Sequence, residues 1–225
     1  MTIWKHCRLS VLLFVALVVP LRAGEIVDRI VANVNGHILL ESDWEEEIAF
    51  EAFLNARPPG SFTTAERKAA LDRLIDQELL REQVHSSETA APELVAARVA
   101  EVRKMYPEAA TDAGWLATLE RYGLTASTME KRLGQDIQLM QLVEARLRPA
   151  IQIDNRAVES YYRERLLPEL QRSGGKEVPL PEVFSRIKDL LAEQKMNQLI
   201  ASWLASLRSE SHIQTPAASD GEQNR

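Results

Sequence analysis

The stretch Ile26-Val27-Asp28-Arg29-Ile30-Val31-Ala32-Asn33-Val34, Asn35-Gly36, His37-Ile38-Leu39-Leu40 sets two short β-prone runs on either side of an Asn-Gly pair. Asn-Gly tolerates positive φ at both central positions of a type I′ turn, so the spacing predicts a tight hairpin. A hairpin alone is marginal in water and must lean on a helix or a third strand. Downstream the chain offers mostly helices. Ser42 with Glu45 three residues on predicts a capping box and a helix carrying Trp44, Ile48, Phe50 and Phe53 that stops before Pro58-Pro59-Gly60. Thr63 with Glu66 opens a second, through Leu71, Leu74, Ile75, Leu79 and Val84, ending near Ser86.

Pro92 suits a first helical position, and Leu94, Val95, Val99 and Val102 continue an amphipathic helix to Tyr106-Pro107. A shorter helix spans about Thr111 to Tyr122, with Gly123 as its C-terminal cap. Ser127 with Glu130 predicts a third capping box, before a long helix through Met129, Leu133, Ile137, Met140, Val143 and Leu147 that Arg148-Pro149 ends. Asp154 caps a helix through Val158, Tyr161 and Tyr162, and Ser173 to Pro181 is a loop. The stripe Phe184, Ile187, Leu191, Ile200, Trp203 and Leu207 gives one last long helix, followed by a terminal strand at Ser211-His212-Ile213-Gln214 and a polar, disordered tail over 215–225. The fold class expected is mainly α, with a small β element near the amino terminus.

Lys5, His6 and Arg8 precede an apolar run, Leu9 to Val19, closed by Pro20-Leu21-Arg22-Ala23. That is the layout of a secretory signal peptide over residues 1–23, cut near Ala23 within a residue or two. The run falls short of the roughly 20 residues a membrane-spanning helix needs. Stable insertion after cleavage is therefore not expected. Cys7 is the single cysteine of the sequence and lies in that segment, so the exported chain would rest on its core without disulfides. Lys5, Arg8 and Arg22 would leave with it, taking 27 bases to 24 against 33 acids and the net charge from -6 to -9. Both signs are interspersed along every helix, which argues against a nucleic-acid partner. The run Glu45-Glu46-Glu47 reads as a solvated first helical turn rather than a metal site.

Chemistry is not indicated. His6, His37, His85 and His212 have no partner at ligand spacing, and there is no His-Glu-x-x-His, Cys pair, Gly-x-Ser-x-Gly or phosphate-cradling glycine loop. No catalytic, cofactor or metal residue is assigned. Asp72 and Asp76 share a helix face with Arg73 and Arg81 near them, the pattern of a salt-bridged solvent face. Met105, Trp115, Tyr122, Met129 and Met140 admit two readings, core packing or an adaptable apolar surface for unfolded polypeptide, and they are the candidate client-binding residues.

The residues Val27-Asp28-Arg29-Ile30-Val31-Ala32 and Val34-Asn35-Gly36, leading to Leu40-Glu41-Ser42-Asp43, resemble the amino-terminal domain of the SurA family of periplasmic chaperones. So do Leu71 to Leu80, Tyr122-Gly123-Leu124 with the long helix after it, Ile151-Gln152-Ile153, and Val183 to Ile213 around Trp203-Leu204. The resemblance implies a chaperone region over 24–161 and a closing helix and strand over 182–214. It also implies that hairpin and last strand meet in one small sheet. Family members carry one or two parvulin prolyl-isomerase domains of roughly 90 to 100 residues between these parts. Here a short connector, 162–181, occupies that place, with no histidine or cysteine and too little apolar sequence for a core. The function implied is an ATP-independent periplasmic chaperone for unfolded outer-membrane proteins, with no enzyme activity. The rival readings are a prolyl isomerase with residual activity and an envelope adaptor with one dedicated partner. The Gly174-Gly175 loop also admits a homodimer made by exchange of the last helix.

Overall fold

Asn35 and Gly36 both take positive φ, 51° and 94°, and the turn they make pairs β1 (Ile30–Val34) with β2 (His37–Leu40) in antiparallel register. The computed structural model describes residues 28–84 and 89–216. The expected leader with Cys7 and His6, the start of the first β-prone run, His85 and the tail from residue 217 lie outside the described residues. A third strand, β3 (Ile213–Gln214), runs along the far side of β1, with Val34 opposite Ile213 and Asn33 opposite Gln214. Distant parts of the chain thus close one antiparallel sheet in the order β2-β1-β3. A bulge between Ile30 and Ala32 breaks the two-residue alternation, so the neighbours Val31 and Ala32 are both buried.

Asn35 does more than turn the chain. Its side-chain Oδ1 accepts from the His212 backbone N–H at 2.7 Å, its own N–H donates to the His212 carbonyl at 2.9 Å, and its amide nitrogen donates to Glu82 and Ser211 at 2.7 and 3.1 Å. Turn, second helix and final strand are pinned at one residue.

Helix α1 (Glu41–Leu54) begins one residue before Ser42, which corrects the expected capping box. Asp28 accepts from the Ser42 N–H and hydroxyl, and the Asp43 carboxylate accepts from the Leu40 N–H at 2.8 Å, so acids on both sides satisfy the open N–H groups. Helix α2 (Thr64–Arg81) starts at the Thr63–Glu66 box as expected but ends at Arg81. Helix α3 (Pro92–Arg103) leads through a 3-10 turn at Pro107–Ala110 to α4 (Asp112–Arg121), capped by Thr111. Helix α5 (Ala126–Leu147) is capped by Thr125 with Thr128, two residues earlier than the expected Ser127–Glu130 box. Thr125 directly follows Leu124, whose N–H closes the end of α4.

Helix α6 (Asn155–Tyr161) passes through a π-helical turn, Tyr162–Leu166, straight into α7 (Leu167–Arg172). Pro168 lacks an N–H and crowds the carbonyl one turn back, and the wider π turn relieves that crowding. The helix then folds back on α8 (Leu180–Glu210), and the Tyr162 hydroxyl donates to the Val178 carbonyl at 2.8 Å. This segment carries more apolar packing than its composition suggested. Tyr162, Leu166, Leu167 and Leu180 pack with Val158, Ile187 and Phe184, so residues 162–181 form the tip of a helical hairpin with its own apolar cluster. Val158, Tyr162 and Leu166 recur every four residues and share one face.

Three further clusters make the core. Phe50, Phe53, Tyr106, Trp115, Leu119, Tyr122, Met129 and Leu133 join α1, α3, α4 and α5; Val31, Ala32, Val34 and Leu39 pack on Leu74, Ile75 and Leu79; Leu80, Leu147, Met196 and Trp203 bind α8 to α2 and α5. Asp72 and Asp76 also serve that last junction. Arg208 of α8 donates to Asp76 at 2.6 Å and to the Asp72 carbonyl at 2.8 Å, while Arg73 and Arg81 are taken by Glu51 and Glu78. The expected solvent face is in fact a staple between two helices.

Candidate functional site

Val95, Val99 and Val102 recur along α3 at helical spacing, and only Val102 is fully covered by α5 and the aromatic cluster. The remainder of that stripe, with Ala90, Pro92 and Ala96, forms one wall of an open groove of about 680 Å³. The opposite wall is α5, through Ser127, Glu130, Lys131, Gly134, Gln135 and Gln138. One side is apolar and the other offers hydrogen-bonding groups. Such a wall pair suits an extended polypeptide, whose side chains and backbone need both.

On the other side of α5 lies a smaller crevice of about 290 Å³, with Leu39, Leu74 and Leu139 in its lining and Asp43, Glu46, Arg81, Lys131, Arg132 and Asp136 around them. Lys131 and Gln135 border both spaces, so α5 is their common wall. Beside the crevice Glu47 is only 2% exposed, ion-paired to Arg132 and accepting from Gln77 at 3.0 Å. This corrects the reading of the Glu45-Glu46-Glu47 run as a solvated turn for Glu47, while Glu45 and Glu46 are exposed as expected. Glu47 lies three residues after Trp44 and three before Phe50, which puts it on the apolar face; that spacing was the available signal. Burial pushes its carboxyl pKa up, against the pull of Arg132. Asp136 is half-buried, and burial followed by the Glu47 charge raises it to about 6.

The five candidate client-binding residues separate. Trp115, Tyr122 and Met129 are buried together around Phe53, whose ring centroid is 5.8 Å from Trp115 and 5.5 Å from Tyr122. They fill the core, since large apolar groups at helical spacing gain most by facing inward. Met105 and Met140 are exposed, at 44% and 67%, and neither borders the groove. The groove residues were missed because Ala, Pro and Val carry no recognition signature of their own.

His37, on the hairpin, has its Nδ1 3.4 Å from Glu78 of α2, and His212 meets the Gln214 amide at 2.8 Å beside β3. The two histidines serve different neighbourhoods. No group of three or more His, Cys, Asp or Glu at metal-binding separation occurs among the described residues. No protein-family model matches the chain, and a search of the curated proteins returns no match.

Proposed function

We propose that this chain is an exported, ATP-independent chaperone of the SurA type, which holds unfolded outer-membrane proteins in the periplasm and performs no chemistry on them. The observation that carries the reading is the open α3–α5 groove, apolar on one wall and hydrogen-bonding on the other. Loose contacts of this kind give low affinity per residue of client, which lets a client depart without an energy source. The family resemblance of the hairpin and closing helix supplies the client class, and the sequence of the first 23 residues supplies the compartment. No helix among the described residues is long and apolar enough to cross a membrane.

The test dilutes an unfolded porin with and without an equal concentration of the protein and follows light scattering. Suppressed aggregation is expected, and Val95→Asp with Val99→Asp should weaken it several-fold, because each carboxylate would have to be desolvated by an apolar client. Unchanged scattering with the unaltered protein would remove the proposal. The same preparation should show no turnover of a proline-containing peptide. Mass spectrometry of protein from the cell envelope should find an amino terminus near Gly24.

A further inference from the structure

Lys131 and Gln135 stand four residues apart on one stripe of α5 and form the ridge between the groove and the crevice. Past that ridge the crevice combines two kinds of surface. Leu39 of β2, Leu74 of α2 and Leu139 of α5 give it apolar walls, and charged groups surround them. Two of the cations are committed. Arg132 pairs with Glu47 and Arg81 with Glu78, and both carboxylates are buried, so each guanidinium is needed where it is. The acids are less well served. Asp43 accepts the Leu40 N–H, and Glu46 is exposed and 3.9 Å from Arg132. Asp136 is half-buried, and among the described residues it has neither a hydrogen-bond nor an ion-pair partner. In and directly behind the lining, five carboxylates meet three cations, the third being Lys131 on the exposed ridge.

We propose that this crevice receives a basic side chain, lysine or arginine, of the same extended polypeptide whose apolar segment lies in the α3–α5 groove. The alkyl stem lies along the three leucines and the cationic head meets Asp136. Lysine and arginine are the side chains that carry both an apolar stem and a positive head. A space of about 290 Å³ holds roughly ten waters, room for one long side chain and too little for a folded partner. An acidic guest fits poorly, since it would compete with Glu47 and Glu78 for their arginines while facing Asp43, Glu46 and Asp136. The route between the two spaces is short. A helix with its side chains is about 10 to 12 Å across, and an extended chain covers about 3.3 Å per residue, so three or four residues carry a client over the ridge. The substrate class is therefore an apolar run with a basic residue about four positions away. This rests on the chaperone reading for the occupant of the groove.

The experiment uses three dye-labelled peptides at about pH 7.5, where Asp136 is mainly ionised, and reads binding to the protein by fluorescence anisotropy. Each has a central apolar run flanked, four residues before and four after, by lysine, by norleucine or by glutamate, so that either chain direction is served. Norleucine keeps the stem and removes the charge. The lysine peptide should bind about tenfold more tightly than the norleucine peptide in low salt, and that preference should shrink at high salt. Asp136→Asn should cut it to about twofold or less. Glu120→Gln, on the exposed side of α4, removes the same charge from the molecule elsewhere and should leave the preference in place. Equal binding of the lysine and norleucine peptides overturns the crevice as a site while leaving the groove standing. Tighter binding of the glutamate peptide overturns it too, as does a preference that survives Asp136→Asn or disappears in Glu120→Gln. Binding of none of the three removes the groove reading and this inference together.

Discussion

Ala56 holds, at the end of α1, the left-handed position that Gly123 holds at the end of α4, with φ of 48° and 68°. The bonds match as well. Arg57 N–H reaches the Ala52 carbonyl at 2.8 Å and Ala56 N–H the Phe53 carbonyl at 3.2 Å, as Leu124 reaches Leu119 and Gly123 reaches Glu120, both at 2.9 Å. Both ends are Schellman motifs, and only one carries the residue the motif favours. Gly123 was legible as a cap for that reason, while Ala56 gave no sign, and Pro58-Pro59-Gly60 gave only the rough end of the helix. Ala56→Gly should raise stability by about 1 kcal/mol in urea unfolding, because it removes the strain of a Cβ at positive φ. Asn35 shows a different limit. Its turn was readable from the Asn-Gly pair, but its four bonds to Glu82, Ser211 and His212 bridge up to 177 residues and could not be read from neighbours. Asn35→Ala should cost about 2 to 3 kcal/mol, combining lost hydrogen bonds with φ strain; Asn35→Gly, which keeps the turn, isolates the bonds.

Among the elements, helices with strong periodicity and a capping residue were placed well, and their starts were misplaced where two hydroxyls competed. At α5 both Thr125 and Ser127 are followed three residues later by a side chain able to complete a box, and it is Thr125 that caps the helix, accepting from the Thr128 N–H. Gly114 makes a related point for the interior of a helix. A Cβ there would strike the Glu108 carbonyl oxygen of the preceding 3-10 turn, so the close approach of turn and helix requires glycine. Gly114→Ala should destabilise by about 2 kcal/mol or more, read from the midpoint of thermal unfolding by circular dichroism, although alanine is the better helix former. Pro168 does not end the helix that α6 begins. The π turn lets the helix continue past it.

For the molecule as a whole, pH should act from two directions. Glu66, hydrogen-bonded by Arg57 and by Thr63, is lowered to about 2, so its contribution is present above its ordinary value and lost as the solution is acidified toward 2. Asp136 works the opposite way. Its raised value, about 6, favours the folded state most below its ordinary value of 3.8, and that advantage disappears as pH rises through 6. Thermal stability should therefore peak in mild acid, near pH 5, and Asp136→Asn should flatten the fall toward neutrality, gaining on the order of 2 kcal/mol at about pH 7.5. A profile that is unchanged in this variant would contradict the assignment. The mainly helical class and the hairpin were legible because both rest on short-range periodicity; the α3–α5 groove and the buried Glu47–Arg132 pair were not, because each depends on helices distant in sequence. The pairing of β1 with β3 carries a mechanical corollary. The strands run in opposite directions, so tension on the segments before β1 and after β3 reaches the ladder from the same side, at Asn33 and Gln214. The bonds would then be loaded one after another, as in a zipper, instead of all at once in shear, and a weak pull would free the terminal strand while the cluster that binds α8 to α2 and α5 stayed intact.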